Sequence, residues 1–140
     1  MTIQTITERE LKLRLPDEQA YFVLRQAWGD PDRVVRQVNT YFNTARRDMN
    51  DRMVRIRDQA GVLELTVKDR VVMDADAGTL ISRERTQSIT PAEWRRVHRS
   101  ECAVTELDVP LAAQLYAEVG AHLYPVGSMV NTREVYPLSG

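Results

Sequence analysis

The sequence predicts an α+β domain built on a curved antiparallel sheet, and three observations carry that prediction. Met53-Val54-Arg55-Ile56-Arg57 and Leu63-Glu64-Leu65-Thr66-Val67-Lys68 alternate apolar and charged or polar residues, the period-two signature of half-buried strands. Asp58 to Gly61 between them reads as a hairpin turn. Strand-like runs outnumber helical ones, and hairpin-like links favour antiparallel over parallel pairing.

The elements follow in order. Glu8-Arg9-Glu10-Leu11-Lys12-Leu13-Arg14-Leu15 reads as a strand with Glu8, Glu10, Lys12 and Arg14 on one face and Leu11, Leu13 and Leu15 on the other. Pro16-Asp17-Glu18 marks a helix start, with Tyr21, Val23, Leu24 and Trp28 spaced for one apolar face that ends at Gly29. After the break Gly29-Asp30-Pro31, Arg33 to Thr44 turns to strand through Val34, Val35, Val38, Tyr41 and Phe42, and polar Arg46 to Asp51 forms a turn. Beyond the hairpin, Asp69 to Thr79 is expected to be a mobile loop, because Asp74-Ala75-Asp76-Ala77-Gly78 offers no periodicity. Leu80 to Ile89 resumes as a strand. Thr90-Pro91-Ala92-Glu93 is a capping box with proline at the first helical position, so a helix begins there and runs to about Arg99. A third helix follows Pro110 through Leu111, Leu115 and Val119 to a cap at Gly120, and Ser128 to Tyr136 holds a last strand.

A chain of 140 residues is enough for one domain with one core. Its formal net charge is −1 with 28% charged residues, so no overall field draws it to nucleic acid or anionic lipid, and any polyanion must be held by local arrangement. Cys102 is the single cysteine, which excludes an internal disulfide and reads as a small core residue in a reducing compartment. No apolar run approaches the ~20 residues of a membrane span, and Met1-Thr2-Ile3-Gln4 lacks the start of a signal peptide. A cytoplasmic protein without membrane or specific nucleic-acid partners is the expectation. His98, among Arg95, Arg96 and Arg99, reads as part of a solvated helix face; His122 has no second ligand at a metal-binding spacing; Trp28 and Trp94 suit helix packing. Serine-nucleophile and P-loop motifs are absent.

The chemistry lies in the alternating charges. Glu8 and Glu10, side by side, repel unless a cation lies between them, and hard divalent ions such as Mg²⁺ or Mn²⁺ prefer carboxylate oxygens. Lys12 beside them points to an anionic ligand. Arg55, Arg57 and Lys68 add a cationic patch on neighbouring strands. A solvated face of an antiparallel sheet accounts for each strand taken singly. Turned inward together, these cations would cost several kcal/mol each unless an anion compensated them, and arginine's planar fork matches phosphate oxygens. For Arg14 and Glu64, solvent exposure and ligand contact are equally good readings.

These residues, in this order, resemble the CYTH superfamily, the triphosphate tunnel metalloenzymes, which include thiamine triphosphatases, inorganic triphosphatases and class IV adenylate cyclases. Glu8-x-Glu10-x-Lys12 looks like the family's signature. Gln37-Val38-Asn39-Thr40-Tyr41-Phe42-Asn43-Thr44 is similar to its second strand, with Asn43 in place of an acid. Arg55-Ile56-Arg57 resembles its paired-arginine strand, Leu65-Thr66-Val67-Lys68 its lysine strand, Glu84 an acid of the next, and Gly127-Ser128 with Arg133 a later arginine strand. The resemblance implies a single CYTH-like domain over 1–140, its antiparallel sheet curved into a tunnel with helices packed outside. It implies that Glu8 and Glu10 hold Mg²⁺ or Mn²⁺, with Glu84 a further candidate ligand. Lys12, Arg55, Arg57, Lys68 and Arg133 would grip a triphosphate-containing small molecule or short polyphosphate, with Glu8, Glu10 and Lys12 forming the catalytic set. The implied activity is metal-dependent hydrolysis of an inorganic, thiamine or nucleoside triphosphate. The alternatives are a class IV cyclase or a non-catalytic polyphosphate-binding module. Family members normally continue past the Arg133 strand with further acid-bearing strands that have no counterpart here. With about six strands the tunnel is expected to be incomplete or open. Either the chain is part of a longer enzyme or a homodimer closes the sheet.

Overall fold

A computed structural model of the protein describes residues 2–11, 14–74 and 79–137. Its elements are β1 (Gln4–Leu11), α1 (Glu18–Trp28), β2 (Arg33–Asn43), β3 (Arg52–Gln59), β4 (Val62–Asp74), β5 (Thr79–Ser88), α2 (Pro91–His98), α3 (Pro110–Val119) and β6 (Tyr124–Val135). The strands form one six-stranded sheet in the order β1-β5-β4-β3-β2-β6, with every neighbouring pair antiparallel. Among the described residues the edge strands β1 and β6 do not pair with each other, so the sheet is open.

Local chemistry sets most of the boundaries. Asp17 caps α1 by accepting the Ala20 N–H, and Thr90 and Glu93 complete a reciprocal capping box on α2. The β3–β4 hairpin turns on Ala60 and Gly61, at φ 53° and 82°, the left-handed pair of a type I′ turn, and Asp58 accepts the Gly61 N–H. The loop expected over Asp69 to Thr79 is strand as far as Asp74, where β4 pairs with β5 up to Asp74↔Thr79, and residues 75–78 lie outside the described residues. A register shift between Arg70 and Val72 explains the difference, because a bulge breaks the alternation by which a strand is recognised. The last strand begins at Tyr124, four residues before the expected Ser128, and the first lies at Gln4–Leu11.

The two faces of the sheet differ in kind. Phe42, Val54, Ile56, Leu63, Leu65 and Val67 lie on one face and pack in a core with Val97 of α2 and Leu111, Ala112 and Leu115 of α3. At the edge of this core, four charged side chains lock α3 to the sheet. Asp69 accepts from Arg52 at 2.7 Å and from Arg85 at 3.2 Å, and Arg85 also reaches Glu118 of α3 at 2.7 Å. Burial alone would raise the Asp69 pKa, but the hydrogen bond from Arg52 and the charges of Arg52, Arg85 and Arg83 hold it below the usual carboxylate range. Helix α1 buries none of its residues. It is held at the end of β6, where the Tyr21 hydroxyl donates to Glu134, and Trp28 meets Tyr136 edge to face at 5.3 Å.

Candidate functional site

The face turned away from α2 and α3 gathers the polar alternates of the strands. In register, Arg55 faces Thr66 and Tyr41, Arg57 faces Glu64 and Asn39, Lys68 faces Glu84, and Glu8 faces Ser82. Side chains opposite one another in an antiparallel pair share a face, so these residues form one continuous surface. Its side chains reach across strands: Lys68 on β4 comes 2.9 Å from Glu8 and 3.4 Å from Glu10, both on β1, with β5 lying between. Strands two apart are separated by about 10 Å, and the side chains close that gap over the middle strand.

The charges run across this face from acid to base. At the β1 end, Glu8, Glu10, Glu84 and Lys68 form a cluster. Glu8 is held below the usual carboxylate range, first by its hydrogen bond to Lys68. Glu84 is pushed up, first by burial and then by its hydrogen bond to Glu8. Of this carboxyl pair, Glu84 therefore keeps a proton to higher pH. Burial would lower the Lys68 pKa, but its bonds to Glu8 and Glu10 raise it, so the ammonium stays charged.

Arg55, Arg57 and Arg133 carry the basic end. Among the described residues none of the three has a carboxylate within ion-pair distance. The Arg55 Nε is buried without a partner, and Arg57 spends its Nε on Asn39 at 2.8 Å. The Arg57 pKa is pushed down by burial, then by the charges of Arg55 and Arg133. Arg55 and Arg57 are thus held together, partly buried, with the charges of Glu84 and Glu8 felt across the face but no carboxylate in ion-pair contact among the described residues. That arrangement is costly in an empty protein and favourable around a bound polyanion.

The structure brings together Glu8, Glu10, Glu84, Lys68, Arg55 and Arg57 of the residues expected from sequence. Arg133 stands further out on exposed β6 and is felt by Arg57 through its charge. Lys12 lies outside the described residues. Asn43, the substitute for the family acid, accepts the N–H groups of Thr44 and Met49 and so braces the turn after β2. Sequence reading missed Asn39, fully buried and holding Arg57, and the hydrogen-bonded pair Gln37 and Gln59 on the same face. The signal was present in the polar alternates Gln37-x-Asn39-x-Tyr41. His122 accepts from Thr105 or donates to it at 2.8 Å and stacks on Tyr116, remote from the charged face.

The donor set fits a hard divalent ion in chemical type. Such an ion binds through one or two carboxylates plus substrate phosphates, and Glu8 and Glu10 present adjacent carboxylates around an existing cation, Lys68. Among the described residues no three His, Cys, Asp or Glu side chains converge as a metal site. The remaining ligands would be phosphate and water oxygens.

A family model for the CYTH domain matches residues 7–140. No curated protein sequence gives a significant match. Among solved structures, the chain is similar to HpAC1 from Hippeastrum, a candidate adenylyl cyclase described as having a dominant triphosphatase activity. The TM-score is 0.73 and the identity 24%, over 97% of this chain and 67% of that one. It is also similar to a candidate adenylate cyclase from Bacillus halodurans, with a TM-score of 0.67 and 15% identity over 96% of this chain and 67% of the other. The chain spans about two thirds of the length of these relatives.

Proposed function

The chain belongs to the CYTH domain family, and from that premise we propose that the charged face of its sheet binds the triphosphate of a small molecule and hydrolyses one of its phosphoric anhydride bonds. One observation carries this reading: Arg55 and Arg57 stand side by side on β3, with the charge of Arg133 reaching Arg57, and none of the three has an ion-paired carboxylate among the described residues, while Glu8 and Glu10 cluster with Lys68 on the same face. Arg55, Arg57 and Lys68 would hold the phosphate oxygens and neutralise charge that develops on them, which is most of what phosphoryl transfer asks of a protein. Asn39 fixes the Arg57 fork, so less side-chain freedom is lost on binding. Lys12 and Arg133 would complete the grip. Glu8 and Glu10, with Glu84 behind them, would hold Mg²⁺ or Mn²⁺, which when bound supplies charge neutralisation at bridging phosphate oxygens. Glu84, the carboxyl that keeps its proton to higher pH, would keep Glu8 ionised by donating to it.

Phosphate release from inorganic tripolyphosphate with Mg²⁺ or Mn²⁺ tests the proposal. Release that is lost in Glu8→Ala and in Glu10→Ala is expected. No release at any metal concentration would remove the hydrolase. A second reading, a polyphosphate-binding module without turnover, is favoured by the lack of a converging set of three metal-ligating side chains among the described residues. It predicts stabilisation by tripolyphosphate with no phosphate produced.

A further inference from the structure

Arg57 stands between two possible partners on its own face of the sheet. Directly opposite it on β4 is Glu64, a carboxylate, and directly opposite it on β2 is Asn39, an amide. The guanidinium takes the amide: Arg57 Nε donates to Asn39 Oδ1 at 2.8 Å, and no ion pair joins Arg57 to Glu64. The rest of β2 on this face is neutral too. Tyr41 stands opposite Arg55, and Gln37 donates to Gln59 at 2.7 Å. The strand that flanks the two arginines therefore brings polar groups to them and no negative charge.

Asn39 is a poor choice for stability alone. It is fully buried, and its Nδ2 has no acceptor while Oδ1 is committed to Arg57. Aspartate has nearly the same shape, carries no donor to be orphaned when ionised, and would meet Arg57 with a charge-assisted hydrogen bond. The amide instead leaves the Arg57 charge unmet at this contact, beside Arg55, whose Nε is also buried without a partner. A residue that costs the empty protein stability and orients a cation is the kind of compromise found where a ligand is held. We propose that Asn39 is a positioning residue for phosphate binding, a neutral brace that fixes the Arg57 guanidinium and leaves its positive charge for the anion. This rests on the triphosphate reading above and adds to it the residue that governs how much of the Arg57 charge the ligand receives. A carboxylate at this position would compete with phosphate oxygens for the same guanidinium, whereas an amide orients it without competing.

The test is calorimetric titration of inorganic tripolyphosphate in EDTA, with ligand-free thermal unfolding run beside it. The chains compared are the wild type, Asn39→Asp, Asn39→Ala, Arg57→Ala and the double variant Asn39→Ala with Arg57→Ala. Asn39→Asp is expected to bind tripolyphosphate roughly tenfold more weakly, the size of one hydrogen bond to a charged group. Without ligand it is expected to melt no lower than the wild type. Affinity and stability then move apart, which loss of a merely structural side chain does not produce. Asn39→Ala is expected to weaken binding in the wild-type background and to change nothing in Arg57→Ala, where no guanidinium remains to be oriented. This cycle decides the matter by itself should Asn39→Asp not fold. Equal affinity of the wild type and Asn39→Asp would overturn the brace and leave the triphosphate reading standing. So would a loss on Asn39→Ala that is the same with and without Arg57. If the wild type does not bind tripolyphosphate, the triphosphate reading falls and this inference falls with it.

Discussion

Arg55 stands beside Arg57 on the polar face, and no carboxylate lies within ion-pair distance of either among the described residues. Its Nε is buried without a partner, and its charge pushes down the pKa of Arg57. Removing it should therefore separate stability from binding. Arg55→Ala is expected to melt close to the wild type without ligand, since its repulsion with Arg57 is lost together with its attraction to Glu84 and Glu8. The stabilisation by tripolyphosphate, about 2.7 kcal/mol at a hundred times Kd for the wild type, should be nearly abolished; thermal unfolding with and without the anion measures both. Asp69 behaves in the opposite way, because its partners are present in the protein itself. Its pKa is depressed in the folded state, so its contribution to stability is present above the unfolded value and is lost as pH falls through the folded one. Asp69→Asn is expected to cost about 3 kcal/mol near neutral pH, since it leaves Arg85, only 8% exposed, short of one counter-charge. Its stability should also fall less steeply than the wild type's below about pH 4. Chemical denaturation across that range reads both effects, and an unchanged acid limb would show that Asp69 is not a source of the pH dependence.

Elements with their own local chemistry are the ones that can be read without tertiary information. The Thr90/Glu93 capping box is closed in both directions, and Thr90→Ala should destabilise the fold by about 1 kcal/mol in denaturant unfolding, with Thr90→Ser close to wild type. The hairpin at Ala60-Gly61, the caps Asp17 and Gly120, and the charged alternates of β3 and β4 were equally legible, because turn, cap and period-two signals reside in a few adjacent residues. The far half of β4 was not. Its bulge at Arg70/Val72 erases the period, and only pairing with β5 makes the stretch up to Asp74 a strand. The polar site was legible as a list of charges but not as a geometry. That Lys68 would bridge Glu8 and Glu10 depends on the strand order, in which β5 comes between β1 and β4. The bracing of Arg57 by Asn39 depends on the β2–β3 register, which no single segment encodes.

At the scale of the molecule, the sheet has two unlike edges. β1 carries Glu8 and Glu10, while β6 carries Arg133 and exposes Tyr124, Met129 and Val130. An edge strand left open on one side among the described residues, with exposed apolar side chains, is an invitation to further pairing. Closure by a second copy would set Glu8 and Glu10 of one chain near Arg133 of its partner, and it predicts a dimer in sedimentation equilibrium that Arg133→Glu weakens. A monomer at every concentration would remove that reading. The central claim does not depend on closure, since the acid cluster and the arginines already share one face of the sheet. It is tested most directly by calorimetric titration of tripolyphosphate into the wild-type chain and into a variant carrying both Arg55→Ala and Arg57→Ala. Saturable binding by the wild type that weakens with added salt and is lost in the double variant is the predicted result. Equal affinity in the two chains, or no binding to either, would contradict it.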